Sequence, residues 1–192
     1  KSSTDDASLG IAQASVVEDA HRLRERVEFV HEQIGSDALV EEYIEGQELY
    51  VGVLGNERLR RLPVWQMKFG SMPESLPAIA TRKVKWDRRY QEKYGITTEA
   101  AQELPPAVLA QLDRMSRRIY RALGLSGYAR MDFRVNAAGQ VYVLEANANP
   151  NVAMAEDFAQ SALAAGIGYD ELLARIIKLG CDYKAEWRAD YG

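Results

Sequence analysis

Residues 130–150, RMDFRVNAAGQVYVLEANANP, alternate apolar and polar side chains on either side of an NAAG turn, the pattern of two antiparallel strands joined as a hairpin. Successive side chains on a strand point to opposite faces, so Arg130 and Asp132 share a face, as do Glu145 and Asn147 on the partner strand. With the turn at 136–139, Asp132 falls within a residue or two of being opposite Glu145. Two carboxylates and an amide oxygen then converge without His or Cys, a hard-oxygen set suited to Mg²⁺. Adjacent carboxylates repel unless a cation lies between them. Mg²⁺ commonly takes one or two carboxylates and completes its shell with water and substrate phosphates, which points to a nucleotide. The same charges could instead pair with Arg130 or Arg134 on a solvated face, and spacing alone leaves both readings open.

Outward from the hairpin, PPAVLAQLDRMSRRIYRALG (105–124) predicts a helix, with Pro at its start, Leu109, Leu112, Met115, Ile119 and Leu123 on one face, and Gly124 after its last turn. Further helices are expected at about 154–165 and 169–180. Upstream, ALVEEYI (38–44) and ELYVGVLG (48–55) are strand-like, and RLRRLPVWQMKF (58–69) reads as a strand edge holding Pro63. Ser15 with Glu18 predicts a capped helix running to Gly35, and residues 1–14 predict a loop entering a short strand. Residues 70–104 show no sustained periodicity beyond a helical turn at DRRYQEKYG; so long a loop is usually functional.

An apolar fraction of 47% and a charged fraction of 27% over 192 residues argue for a folded globular chain rather than a disordered or fibrous one. The net charge is −4 and basic residues are interleaved with acidic or apolar ones, so no nucleic-acid stripe is expected. Cys181 is the lone cysteine, no run reaches membrane-spanning length, and a cytoplasmic location is expected. His21 and His31 read as exposed helix residues without a metal role, and Tyr43 and Trp65 as packing. The opening at Lys1, within a polar loop and without an initiator Met, reads as that of a fragment.

RMDF followed by LEANANP resembles the metal-binding hairpin of ATP-grasp enzymes, in particular the D-alanine–D-alanine ligase-like branch. LVEEYIEGQELYVGVLG (39–55) is similar to the strand, hinge and strand that hold adenine and ribose in that family, with Glu41 and Glu48 at its spacing. KSSTDDASLGI (1–11) resembles its phosphate-binding lid loop, YQEKYGI (90–96) its second phosphate-contacting lysine segment, and FAQSALAAGIGYDELLARII its C-terminal helices.

The resemblance implies an α+β ATP-grasp fold: two small lobes with mainly antiparallel sheets, truncated at the N-terminus, with a partial lid subdomain over 1–48 and a C-terminal subdomain over 49–192. It implies Asp132, Glu145 and Asn147 on Mg²⁺, with Mn²⁺ as the alternative ion, and Arg130 as the catalytic contact to acyl-phosphate and tetrahedral intermediates. It further implies Lys1 and Lys93 on ATP phosphates, Glu41, the Glu42 carbonyl and the Ile44 amide on adenine, and Glu48 on ribose. The activity implied is carboxylate–amine ligation through an acyl phosphate. The partners are a small carboxylate donor, an amino-acid or dipeptide-like amine acceptor and a missing N-terminal domain, with no nucleic acid or membrane and a homodimer left open. The alternative is a nucleotide-binding module or degenerate scaffold without turnover.

Two departures from the family pattern bear on substrate. In NANPNVAMAED (147–157), Asn151 stands where the peptide-forming ligases have Gly, and Glu156 and Asp157 lie near their serine position, which disfavours a carboxylate-bearing acceptor and puts a D-alanyl-D-alanine product in doubt. Asp5 and Asp6 make the lid loop acidic where phosphates would pass. No role is assigned to the tail at 181–192.

Overall fold

In the computed structural model, which describes residues 1–4, 10–73 and 76–184, β4 (Tyr128–Val135) and β5 (Val141–Asn147) form the expected hairpin. The Asn136 side-chain oxygen accepts from the N–H groups of Ala138 (3.1 Å) and Gln140 (2.9 Å). Gly139 takes the left-handed φ of +76° that the turn needs.

β1 (Gln47–Leu54) runs antiparallel to both β4 and β2 (Arg60–Phe69), and β3 (Ile96–Ala100) lies beyond β2, giving the order β3-β2-β1-β4-β5. The expected edge strand holding Pro63 is therefore an interior strand. The β1–β2 register slips between Val51 and Val53, and Pro63 falls at that slip, a position where its missing N–H is tolerated.

One sheet face carries Leu49, Val51, Val53, Val64, Met131 and Phe133 against Val108, Leu112 and Tyr120 of α4 (Pro106–Ala122). Tyr120 is fully buried, and its hydroxyl donates to the Gly55 carbonyl at 2.7 Å. The opposite face is divided. At one end Leu54, Leu62 and Tyr128 meet Phe158 and Ala162 of α5 (Asp157–Ala164) and Leu172 of α6 (Tyr169–Asp182). Each fully buried Leu or Phe there contributes about 1.5–3 kcal/mol. A Cβ on Gly52 would lie 2.9 Å from Leu62 Cδ1 and 3.0 Å from Phe158, so glycine is what lets the helix layer close on the sheet.

The chain divides into two units, Lys1–Glu45 with Lys68–Thr97, and Gly46–Met67 with Thr98–Gly192. Residues 68–97 group with the first unit although Gly46–Met67, which precede them in the chain, belong to the second. In the first unit α1 (Ala20–Phe29) is capped by Asp19, whose carboxylate accepts from the Arg22 N–H at 2.8 Å. Ser15 is therefore not the cap; it ends a single 3₁₀ turn, Gln13–Ser15, where a strand was expected. The helix continues as a π turn to Gly35, as the sequence indicates. Residues 38–44 form no strand; the isolated bridge Ser2–Ala38 and the Leu39 N–H to the Lys1 carbonyl join their start to residues 1 and 2. α2 (Arg82–Trp86) and α3 (Arg88–Tyr94) fill much of the expected loop. Among the described residues no helix is long and apolar enough to cross a membrane.

Candidate functional site

The second half of the divided face is polar because of one extra residue. β4 and β5 pair Arg130 with Asn147, Met131 with Ala146 and Asp132 with Glu145, then Phe133 with Val143, leaving Leu144 as a bulge. Val141 and Val143 stand opposite Val135 and Phe133, on the α4 side. Strict alternation would send Glu145 after them. The bulge shifts the phase by one and turns Glu145 and Asn147 to the face of Asp132 and Arg130. Side chains directly opposite in this way have Cβ atoms about 4.5–5.5 Å apart.

Arg130 clamps Asp132 through two parallel bonds, Nε to Oδ1 at 2.7 Å and Nη2 to Oδ2 at 2.9 Å. Its guanidinium lies 4.8 Å from the centroid of the Tyr50 ring, and Tyr50 is the register partner of Asp132 on β1. The Tyr50 hydroxyl donates to Glu48 Oε1 at 3.0 Å, and Arg134 Nη2 donates to Glu48 Oε2 at 2.8 Å. Asp132, Glu48 and Arg134 are 2%, 5% and 3% exposed, so the row is a buried polar network in which charge meets charge. Burial, then the negative charges of Glu48 and Asp132, push the Tyr50 phenol well above its ordinary value. Burial works against the Arg130 charge, but Asp132 outweighs it and holds that pKa above the ordinary value; Asp157 adds to the effect. Tyr50 and Arg134 escaped assignment from sequence, although they share the strand parity of Glu48 and Asp132.

Glu145 is exposed, and its side chain makes no hydrogen bond among the described residues. The Asn147 side-chain oxygen accepts the Asn149 N–H at 2.8 Å and retains a lone pair. No group of three or more His, Cys, Asp or Glu side chains among the described residues could hold a metal ion. Two carboxylates and an amide instead fit an ion that keeps water and phosphate ligands, as Mg²⁺ does, rather than one needing a complete protein cage.

Beyond the hairpin, the Asn149 side-chain oxygen accepts from the Tyr128 hydroxyl at 2.5 Å, and that of Asn151 accepts the Ala153 N–H at 3.0 Å. Among non-glycine described residues only Glu103 has a positive φ, so Asn151 bears none of the backbone strain that replacing a turn glycine can bring. Glu156 is exposed at the N-cap of α5 with no side-chain capping bond, and Asp157 follows in its first turn.

In the first unit, the Lys1 ammonium pairs with the Glu41 carboxylate, and the Lys1 carbonyl accepts the Leu39 N–H at 2.8 Å. Glu42 is exposed and Ile44 half-buried. Lys93, exposed in the last turn of α3, lies 4.8 Å from the Tyr94 ring centroid. Asp5, Asp6 and residues 185–192 of the tail lie outside the described residues.

Residues 1–178 match the family described as D-ala D-ala ligase C-terminus. A D-alanine–D-alanine ligase of Oleidesulfovibrio alaskensis is 34% identical over 151 residues, 76% of this chain and 43% of that protein. One of Desulfotalea psychrophila is 29% identical over 181 residues, 92% of this chain and 51% of that protein. The crystal structure of the Bacillus anthracis D-alanine–D-alanine ligase complexed with ATP superposes with a TM-score of 0.69 at 27% identity, covering 92% of this chain and 50% of that one. The chain thus spans about half the length of the curated relatives it matches.

Proposed function

The chain belongs to the D-alanine–D-alanine ligase C-terminal family, and we propose that it supplies the nucleotide and metal site of an ATP-dependent carboxylate–amine ligase working through an acyl phosphate. The observation that carries this reading is the face-to-face placement of Asp132 and Glu145 across the Leu144 bulge. A solvated hairpin has no need of a register shift that apposes two carboxylates.

In this reading Asp132, Glu145 and Asn147 hold Mg²⁺, which neutralises phosphate charge when bound. A donor carboxylate oxygen attacks the γ-phosphorus of ATP, the bond to the ADP oxygen breaks, and an acyl phosphate forms. An amine then attacks the acyl carbon, the C–N bond forms, phosphate leaves and the amine gives up a proton. Arg130, pre-set by Asp132 and the Tyr50 ring, donates to the oxyanion that develops at that carbon. Lys1 and Lys93 take phosphate oxygens, and Glu41, Glu42 and Ile44 read adenine. Glu48 accepts from the ribose only by exchanging one of its bonds to Arg134 or Tyr50. Nucleotide binding is supported by the likeness to a ligase structure that contains ATP. Asn151, Glu156 and Asp157 favour an acceptor that presents an amine without a nearby carboxylate. The remaining half of such a ligase would complete the donor site.

Glu145→Gln keeps the side-chain shape and removes the charge. Mg²⁺-dependent ATP affinity, measured by calorimetry, should fall at least about tenfold, since even outer-shell partners of metals cost 10–100-fold. Stability should change by less than about 0.5 kcal/mol, because the residue is exposed. Unchanged affinity removes Glu145 from the site. Tight Mg-ATP binding without ADP release, in a longer protein containing this chain and given carboxylates and amines, would favour the binding-module alternative.

A further inference from the structure

The Glu48 carboxylate, read above as the ribose acceptor, is held from two sides, by Tyr50 and by Arg134. We propose that Tyr50 is a positioning residue of the sugar site: its hydroxyl holds Glu48 Oε1 in place of a ribose hydroxyl and gives that oxygen up when a nucleotide binds, turning instead to Met67 Sδ.

Two acceptors lie within reach of this hydroxyl, Glu48 Oε1 at 3.0 Å and Met67 Sδ at 3.8 Å, one from β1 and one from β2. A hydroxyl carries one hydrogen, so the two are alternatives. An ionised carboxylate is a strong acceptor and a thioether a weak one, so Glu48 holds the bond and Met67 stands as the second setting. Tyr50 is 3% exposed and Glu48 5%, so a sugar hydroxyl does not simply add beside the phenol. One of the two existing bonds gives way.

Which one follows from what each partner loses. Arg134 Nη2 donates to Glu48 Oε2 at 2.8 Å, from a side chain that is almost wholly buried. Releasing it separates a buried ion pair, which is far more costly than freeing a neutral hydroxyl. The freed Tyr50 hydroxyl, moreover, has the Met67 sulfur already within reach. Arg134 therefore stays and fixes the carboxylate through Oε2, and Oε1 is the oxygen that changes partner.

The exchange makes the sugar compete with the phenol for Glu48. A nucleotide bearing ribose hydroxyls displaces the phenol, whereas one lacking them leaves it in place and gains nothing from Glu48. Removing the phenol hydroxyl should then strengthen binding, a direction that a packing role does not produce. The inference rests on the ligase reading, which assigns Glu48 to ribose, and adds the residue that sets the strength of that contact.

The test is calorimetric titration of the full chain with Mg-ADP and, separately, with the Mg-bound dideoxy analogue that lacks both ribose hydroxyls. Tyr50→Phe keeps the ring and should bind Mg-ADP about tenfold more tightly than the parent, with the affinity for the dideoxy analogue unaltered. Met67→Leu conserves volume and removes the second acceptor. It should weaken Mg-ADP about threefold, an effect that disappears when it is combined with Tyr50→Phe. Failure of the parent to bind Mg-ADP refutes the ligase reading and this inference with it. Where the parent binds, the inference alone is overturned if Tyr50→Phe binds Mg-ADP no more tightly, if it tightens the dideoxy analogue equally, or if Met67→Leu acts alike with and without the Tyr50 hydroxyl.

Discussion

Leu54, Leu62 and Tyr128 lie at one end of a sheet face, under α5 and α6, while Glu48, Arg134 and Asp132 lie further along the same face and strands. Leu62 at 0% exposure and Asp132 at 2% are equally withdrawn from water. What differs is the means of satisfying burial. The apolar end gains from area removed from water and needs only shape, down to the missing Cβ of Gly52. The polar end is stable only as long as each charge keeps its partner, so removing one atom group there costs more than its own contacts. Burial alone therefore does not separate core from site, whereas the density of paired charge does.

The largest test of that contrast is Arg134→Ala. It leaves Glu48 buried with the Tyr50 hydroxyl as its one side-chain hydrogen-bond partner among the described residues, and should cost about 3–5 kcal/mol in urea unfolding. Adding Glu48→Leu should recover much of the loss; a single-variant cost below about 1 kcal/mol would show that the pair is not the anchor described.

Next in size is deletion of Ala146. It leaves Glu145 opposite Asp132 but brings Asn147 opposite Met131, on the α4 face. Mg²⁺-dependent nucleotide affinity should drop about tenfold or more. Retained affinity would show that Asn147 is no part of the site.

The smallest effect compares two tyrosines. Burial raises Tyr120 to about 12, and Tyr50 is held well above its usual value by burial and two carboxylates. Both have folded-state pKa values above the unfolded one, so the stability they confer is whole below about pH 10 and is lost as pH rises through the folded values. Alkaline difference absorbance should show both silent near pH 11 while exposed tyrosines ionise. Ionisation of either in the folded chain at pH 10 would break the account of its surroundings.

The hairpin was legible in the sequence because its signals agree: alternation on both strands, an Asn-initiated turn, and a carboxylate on each strand at nearly facing positions. α4 and the two closing helices were likewise written in their apolar spacing and in Pro106 and Gly124. The bulge was not, because nothing in VYVLEAN distinguishes an extra residue from a continuing strand; only Phe133 pairing with Val143 reveals it. The start of α1 misled because Ser15 and Asp19 both offer capping oxygens, and the choice fell to Asp19, which keeps the β-branched Val16 and Val17 outside the helix. ALVEEYI alternates like a strand but forms only the Ser2–Ala38 bridge among the described residues, and alternation without a paired strand does not make a sheet. β3, which is five residues long and follows directly on the helix-ending Gly95, was too short to stand out. The polar network through Tyr50 and Arg134 depends on register between strands distant in sequence, which no local pattern carries.

The hairpin's turn is local, so the contact between Asp132 and Glu145 has short sequence separation and a small loop-closure cost. Arg130 comes from the same stretch and offsets one of the two negative charges where they meet. The donor set and its counter-charge are thus portable: permuting the chain or grafting a segment elsewhere would move the whole assembly as one unit, with its electrostatic balance already built in.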